Sequence, residues 1–156
     1  MQPITISKVY HGSSILVINP PVVLTPVSQG STYHGTVEDW GFMLWGADSL
    51  EELEADLIYQ IVSTWRQYGV KKDEKLSEAA KEVKEFLLSR ITPYPLTAAV
   101  SLEIYHNCDK SKPAEVIPFG LGFPHLPLYC PLCGKKIDNL PDLTFDFELD
   151  QNMLKQ

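Results

Sequence analysis

A chain of 156 residues is long enough for one domain with a real core, or for a small domain with an appendage. Its 44% hydrophobic and 21% charged content is ordinary for a soluble globular protein, and its longest apolar runs, such as Ser14–Ile18, are too short to cross a membrane. A formal charge of −7 disfavours functions that track a phosphate backbone.

The first residues, Met1–Lys8, lack the basic-then-apolar layout of a signal peptide. The chain has three cysteines, an odd number, and two of them form a metal-type pair. Both features point to a reducing compartment, and a cytoplasmic location is expected.

In chain order, Ser13–Ile18 reads as a short buried strand that Asn19-Pro20-Pro21 should stop, because proline has no N–H for a ladder. Val22–Val27 and Ser31–Val37, split by Ser28-Gln29-Gly30, predict a hairpin. Pro26 places the first arm at a sheet edge. Gly41–Gly46 supplies a third strand of the meander, and His34 on the middle strand reads as an ordinary surface or core histidine. Ser49 and Glu52 then form a capping box at the start of a helix. Glu51, Glu52, Glu54 and Asp56 suit the positive end of that helix, which explains them without a catalytic role. Leu50, Leu53, Leu57, Ile61, Trp65 and Tyr68 make its apolar stripe, and Gly69 ends it.

The charged linker Lys71–Lys75 leads to a second helix capped by Ser77, with the stripe Ala80, Val83, Phe86, Leu87 and Ile91. Pro93 and Pro95 stop it. Trp65 and Phe86 read as core packing. Ala98–Cys108 is a strand with Val100, Leu102, Ile104, His106 and Cys108 on one face. A Pro/Gly-rich loop spans Asp109–Tyr129. Its Gly120-Leu121-Gly122 lacks the following helix of a dinucleotide fingerprint, and the loop itself reads as a binding surface or as a segment pinned by metal at its two ends. Leu143–Leu149 alternates strictly, with Leu143, Phe145, Phe147 and Leu149 inward and an acidic face outward. Asp138, Asp142, Asp146, Glu148 and Asp150 fall in this last stretch with no Lys or Arg between them.

The chemistry-bearing stretch is Tyr129-Cys130-Pro131-Leu132-Cys133-Gly134-Lys135-Lys136. Two cysteines spaced by two residues, with Pro and Gly in these places, predict a zinc knuckle whose N–H groups face the thiolates. A thioredoxin-like pair needs a helix after the motif, and Lys135–Pro141 is too short and turn-rich to begin one. The other two donors are expected from His106 and Cys108, two apart and so on one face of an extended strand. His125 competes as the fourth ligand, and the same-face argument favours His106. The alternative is that Cys108 is a buried small hydrophobe and His106 an ordinary strand residue. The preferred set is His106, Cys108, Cys130 and Cys133 around a structural Zn2+.

The segments Val22–Val37, Trp40–Gly46 and Gly46-Ala47-Asp48-Ser49-Leu50-Glu51-Glu52-Leu53 resemble a HicB-like antitoxin module, covering about 22–91. In that family a three-stranded unit leads into a helix through a Gly-x-(Thr/Ser)-Leu-Glu-Glu turn, and Leu76–Lys84 looks like its second helix. The resemblance implies a sheet-and-helix module that acts by binding another macromolecule. The separate DNA-binding segment usual in the family has no counterpart here.

The expected fold is α+β: an antiparallel β-meander packed against two helices, then a C-terminal zinc-ribbon-like β segment. The expected division is 1–95 and 96–156. The preferred function is a non-enzymatic, zinc-stabilised module, antitoxin-like or a small regulator, whose protein partner has a basic surface. A zinc-dependent hydrolase or nuclease is the second reading, and it needs an open coordination position. A nucleic-acid-binding ribbon is the third, which the net charge disfavours.

Overall fold

The structure, a computed structural model, describes residues 1–12, 14–118, 128–137 and 142–154, with 153 and 154 described by backbone alone. The chain divides into two compact units, Met1–Tyr94 and Pro95–Gln156. Among the described residues no helix is long and apolar enough to cross a membrane.

The first unit runs β1 (Ile4–His11), β2 (Ser14–Leu24), β3 (Val27–Gln29), β4 (Thr32–Val37), β5 (Phe42–Ala47), α1 (Leu50–Thr64), α2 (Glu78–Arg90) and β6 (Ile91–Pro95). Its strands form two antiparallel sheets, ordered β1-β2-β6 and β3-β4-β5. The second sheet is the expected meander. Gln29 pairs with Thr32 across a two-residue turn in which Gly30 has φ 64°, a conformation that costs glycine nothing.

The first sheet departs from the sequence reading. β2 does not stop at Asn19-Pro20-Pro21, where the Asn19–Pro20 bond is cis, but continues to Leu24. The reason lies in the ladder. Pairing with β1 passes from Lys8↔Val17 to Ile6↔Val22, so the stretch with two missing N–H groups falls in a register shift. Val22–Leu24 therefore pairs with β1, and only Val27–Gln29 forms the first arm of the hairpin. Ser13, the expected start of the strand, lies outside the described residues. β6 carries Pro93 and Pro95, which suits the sheet edge it occupies.

Both helices begin as their caps dictate. The Ser49 hydroxyl accepts the Glu52 N–H at 3.1 Å, and Glu52 reaches back to the Asp48 N–H at 2.6 Å. Ser77 accepts the Ala80 N–H at 3.2 Å. α1 buries Leu53, Leu57 and Ile61 against Leu16, Ile18, Leu24, Val37, Phe42 and Leu44 from the two sheets. It closes in a π-helical turn over Trp65–Gly69. There a Cβ on Gly69 would stand 2.3 Å from Cε3 of the buried Trp65 ring. Only glycine lets that ring lie against its own helix end.

α2 sits shallower. Of its residues only Leu87 is fully buried, and Val83 of the expected stripe is exposed. Phe86 packs edge-on against Trp40 with centroids 5.2 Å apart, while Arg90 lies over the Phe86 ring and reaches Asp39 at 3.3 Å.

The second unit contains β7 (Ala99–His106), β8 (Glu115–Pro118), β9 (Leu143–Leu149) and the short α3 (Gln151–Leu154). Its antiparallel sheet is ordered β8-β7-β9. Leu102, Ile104 and Leu143 form its core, with Ile117, Ile137 and Phe147 packed on it. Part of the expected loop 109–129 is thus strand, and residues 119–127, including Gly120-Leu121-Gly122, lie outside the described residues.

Two details of the expected faces are corrected. Val100 is 44% exposed, because the β7–β9 register shifts between Ala99 and Ser101. Phe145 shares a face with buried neighbours through its partner Ile104 yet stays 40% exposed, since β9 is an edge strand covered from one side only.

Candidate metal centre

The last residue of β7 and the turn after it supply the first two donors. His106 is buried at 4% exposure, on the side of the sheet that carries Leu102 and Ile104. Cys108 is expected on the same extended strand, but the strand ends at His106 and a turn follows, closed by the Asp109 N–H on the His106 carbonyl at 3.2 Å. Cys108 thus reaches the site by chain reversal, not by strand alternation.

Two neighbours fix this turn. The Asn107 N–H donates to the Asp142 carbonyl at 3.0 Å, tying the end of β7 to the start of β9. The Asp109 carboxylate accepts the Ser111 N–H at 2.9 Å and its hydroxyl as well, which holds the Asp109 carboxyl below its ordinary range. An Asp two residues before a Ser is an Asx-turn signal that the sequence reading passed over.

The other two donors come from the Cys-x-x-Cys turn. Tyr129 and Lys136 bridge antiparallel, the Cys130 N–H meets the Lys135 carbonyl at 2.9 Å, and the Gly134 N–H meets the Cys130 carbonyl at 2.8 Å. Gly134 has φ 77°, as a left-handed position in such a turn requires.

The four side chains His106, Cys108, Cys130 and Cys133 offer ligand atoms that all lie within 4.8 Å of one another, a group able to hold a metal ion. Cys108 Sγ is 3.6 Å from Cys130 Sγ, and His106 Nδ1 is 3.5 Å from Cys133 Sγ. These separations carry information. A tetrahedral ion with sulfur at about 2.3 Å and nitrogen at about 2.0 Å sets S–S edges near about 3.8 Å and S–N edges near about 3.5 Å. Even the widest pair needs only about 1 Å of side-chain adjustment to reach those edges. His125, the competing ligand, lies outside the described residues.

The thiols are electrostatically unequal. Removal from water works against the Cys130 thiolate, yet the Cys133 and Leu132 N–H groups and the neighbouring thiols outweigh it and hold Cys130 below the ordinary thiol range. Cys108 is pushed up to about 11, first by loss of water at its sulfur, although the residue as a whole is exposed, and then by Cys130 and Cys133. One thiol ionises readily and the next resists a second negative charge beside it. A cation among them reverses that resistance, since metal-bound thiols are deprotonated outright.

Three soft sulfurs and an imidazole are the donor class that suits zinc, copper(I) or iron–sulfur centres and not calcium or magnesium. All four donors belong to the chain, so a four-coordinate ion would have no water ligand. No protein-family model, no curated protein and no solved structure matches the chain.

Proposed function

We propose that the chain is a non-enzymatic, zinc-stabilised interaction module, antitoxin-like or a small regulator, whose partner is a protein with a basic surface. The observation that carries this reading is the convergence of four protein donors on one point, with separations close to the edges of a zinc tetrahedron. A site closed in this way stabilises a fold and lacks the open position that metal-assisted hydrolysis needs. The zinc-ribbon-like reading of the second unit rests on the same turn and its adjoining antiparallel sheet.

The HicB-like reading of the first unit is supported by its element order: hairpin, a third strand with Gly46 at φ 78° one residue before its end, and a helix capped by Ser49. Binding to a basic partner is supported by the carboxylates of β9 and its end, the exposed Glu148 and the half-buried Asp146 and Asp150, in a chain of charge −7.

The test makes three substitutions together, Asp146→Asn, Glu148→Gln and Asp150→Asn. Amide oxygens preserve an acceptor for the Ser101 hydroxyl, now 3.1 Å from Glu148, and for the Asn152 N–H, now 2.9 Å from Asp150. Zinc content and melting should hold while partner capture weakens and loses its salt dependence. Metal-restored hydrolase or nuclease turnover, with no partner retained by the wild type, would overturn the proposal.

A further inference from the structure

The same four-donor site also has the geometry of a thiol oxidation site, an inference that rests on the metal-binding reading above. Cys108 and Cys130 come from separate segments, the turn after β7 and the Cys-x-x-Cys turn, yet their sulfurs stand 3.6 Å apart. Cys108 is exposed to an incoming oxidant and Cys130 is buried behind it, 1% exposed. We propose that hydrogen peroxide joins Cys108 to Cys130 as a disulfide and expels the metal, so that a covalent link replaces the ion between the same two segments.

The chemistry balances. The Cys108 thiolate attacks the peroxide O–O bond, forming a sulfenic acid and releasing hydroxide, which takes a proton to become water. The Cys130 thiolate then attacks the Cys108 sulfur; the S–S bond forms, the S–O bond breaks, and the second hydroxide leaves as water after taking a proton. Two thiolates, one peroxide and two protons give one disulfide and two waters. Two electrons pass from the sulfurs to the peroxide oxygens. With two sulfurs in a disulfide only His106 and Cys133 remain as donors, too few to hold the ion.

The competing Cys130–Cys133 bond would close within the single Cys-x-x-Cys turn and would link no separate segments. The Cys108–Cys130 bond draws together two side chains that are already in contact. Cys133 is then left as an exposed free thiol.

The test uses the full chain, reduced and loaded with zinc without oxygen, after its zinc content has been measured. Hydrogen peroxide is added stepwise, release is followed with a colorimetric zinc chelator, free thiols are blocked with N-ethylmaleimide, and peptides are mapped by mass spectrometry. The expected result is about one zinc released per disulfide formed, a Cys108–Cys130 linked peptide, a blocked Cys133, and recovery on reduction with added zinc. Cys133→Ser should still yield the Cys108–Cys130 link, a readout that stands even if that variant holds zinc weakly. A Cys130–Cys133 product, sulfinic acid without a disulfide, or thiol oxidation with zinc retained would overturn the oxidation site while leaving the metal reading intact. A reduced chain that takes up no zinc overturns both.

Discussion

His106 Nδ1 and Cys133 Sγ meet at 3.5 Å across 27 residues of sequence, one from the end of a strand and the other from a turn. Neither residue is brought there by the other's local structure. The contact therefore measures how well the second unit assembles its four donors. We predict about one zinc per chain, on the precedent of closed structural sites. Cys130→Ser and Cys133→Ser should each lower zinc affinity beyond the 10–100-fold, roughly, that follows loss of an outer-shell partner. Elemental analysis after dialysis checks the stoichiometry, and Cys108→Ser separates a ligand from an incidental thiol. Metal-free protein that melts like the loaded form would contradict the structural role.

Gly69→Ala should destabilise the first unit by about 1–3 kcal/mol, the usual cost of forcing an atom into a filled core. The added Cβ would meet Trp65 Cε3 at 2.3 Å, and the ring is buried, so it cannot swing away freely. Denaturant unfolding followed by tryptophan emission reads the effect. Trp65→Leu in the same background should recover part of the loss, since the clash is with the ring.

Tyr105 donates its hydroxyl to the Glu103 carboxylate at 2.8 Å, and its phenol is pushed up to about 12, first by that hydrogen bond and then by loss of water and the charges of Glu103 and Asp146. Because the folded value is raised, the interaction contributes fully below the unfolded value near 10 and is lost as pH rises through about 12. Ultraviolet titration should show one late phenol. Glu103→Gln keeps an acceptor but removes the charge, and should bring that phenol back toward its ordinary range. An unchanged titration curve would show that Glu103 is not the cause.

What could be read from the sequence was what is decided locally. Ser49 and Ser77 announce helix starts because a cap needs only the next three residues, and both make that bond. The alternation of Leu143–Leu149 and the Cys130–Gly134 turn are local in the same sense. β1 and β6 were missed because their place depends on β2, a partner distant in sequence for β6. β2 itself was cut short because prolines signal a stop, and only the opposing register shows that their missing N–H groups fall where no ladder bond is made. In the candidate site the four residue types were legible, but not the route of Cys108, since the turn after His106 is set by Asn107 on Asp142 across 35 residues.

The shallow seat of α2 makes it the part of the first unit easiest to detach. With Leu87 alone fully buried, it leans on the Trp40–Phe86 contact, the Arg90–Asp39 pair and the Lys84 ammonium, which reaches Asp73 at 2.8 Å and the Lys71 carbonyl at 2.6 Å, and an exposed pair of that kind contributes only about 0.2–1 kcal/mol. A free helix of thirteen residues is marginal in water. Its amides should therefore exchange with deuterium through a partial opening that leaves α1 and the meander protected, and Arg90→Ala should speed that exchange in α2 while α1 keeps its rate. Exchange of that kind would mean that the module has a second conformation, with Leu87 and Phe86 as the apolar groups it uncovers.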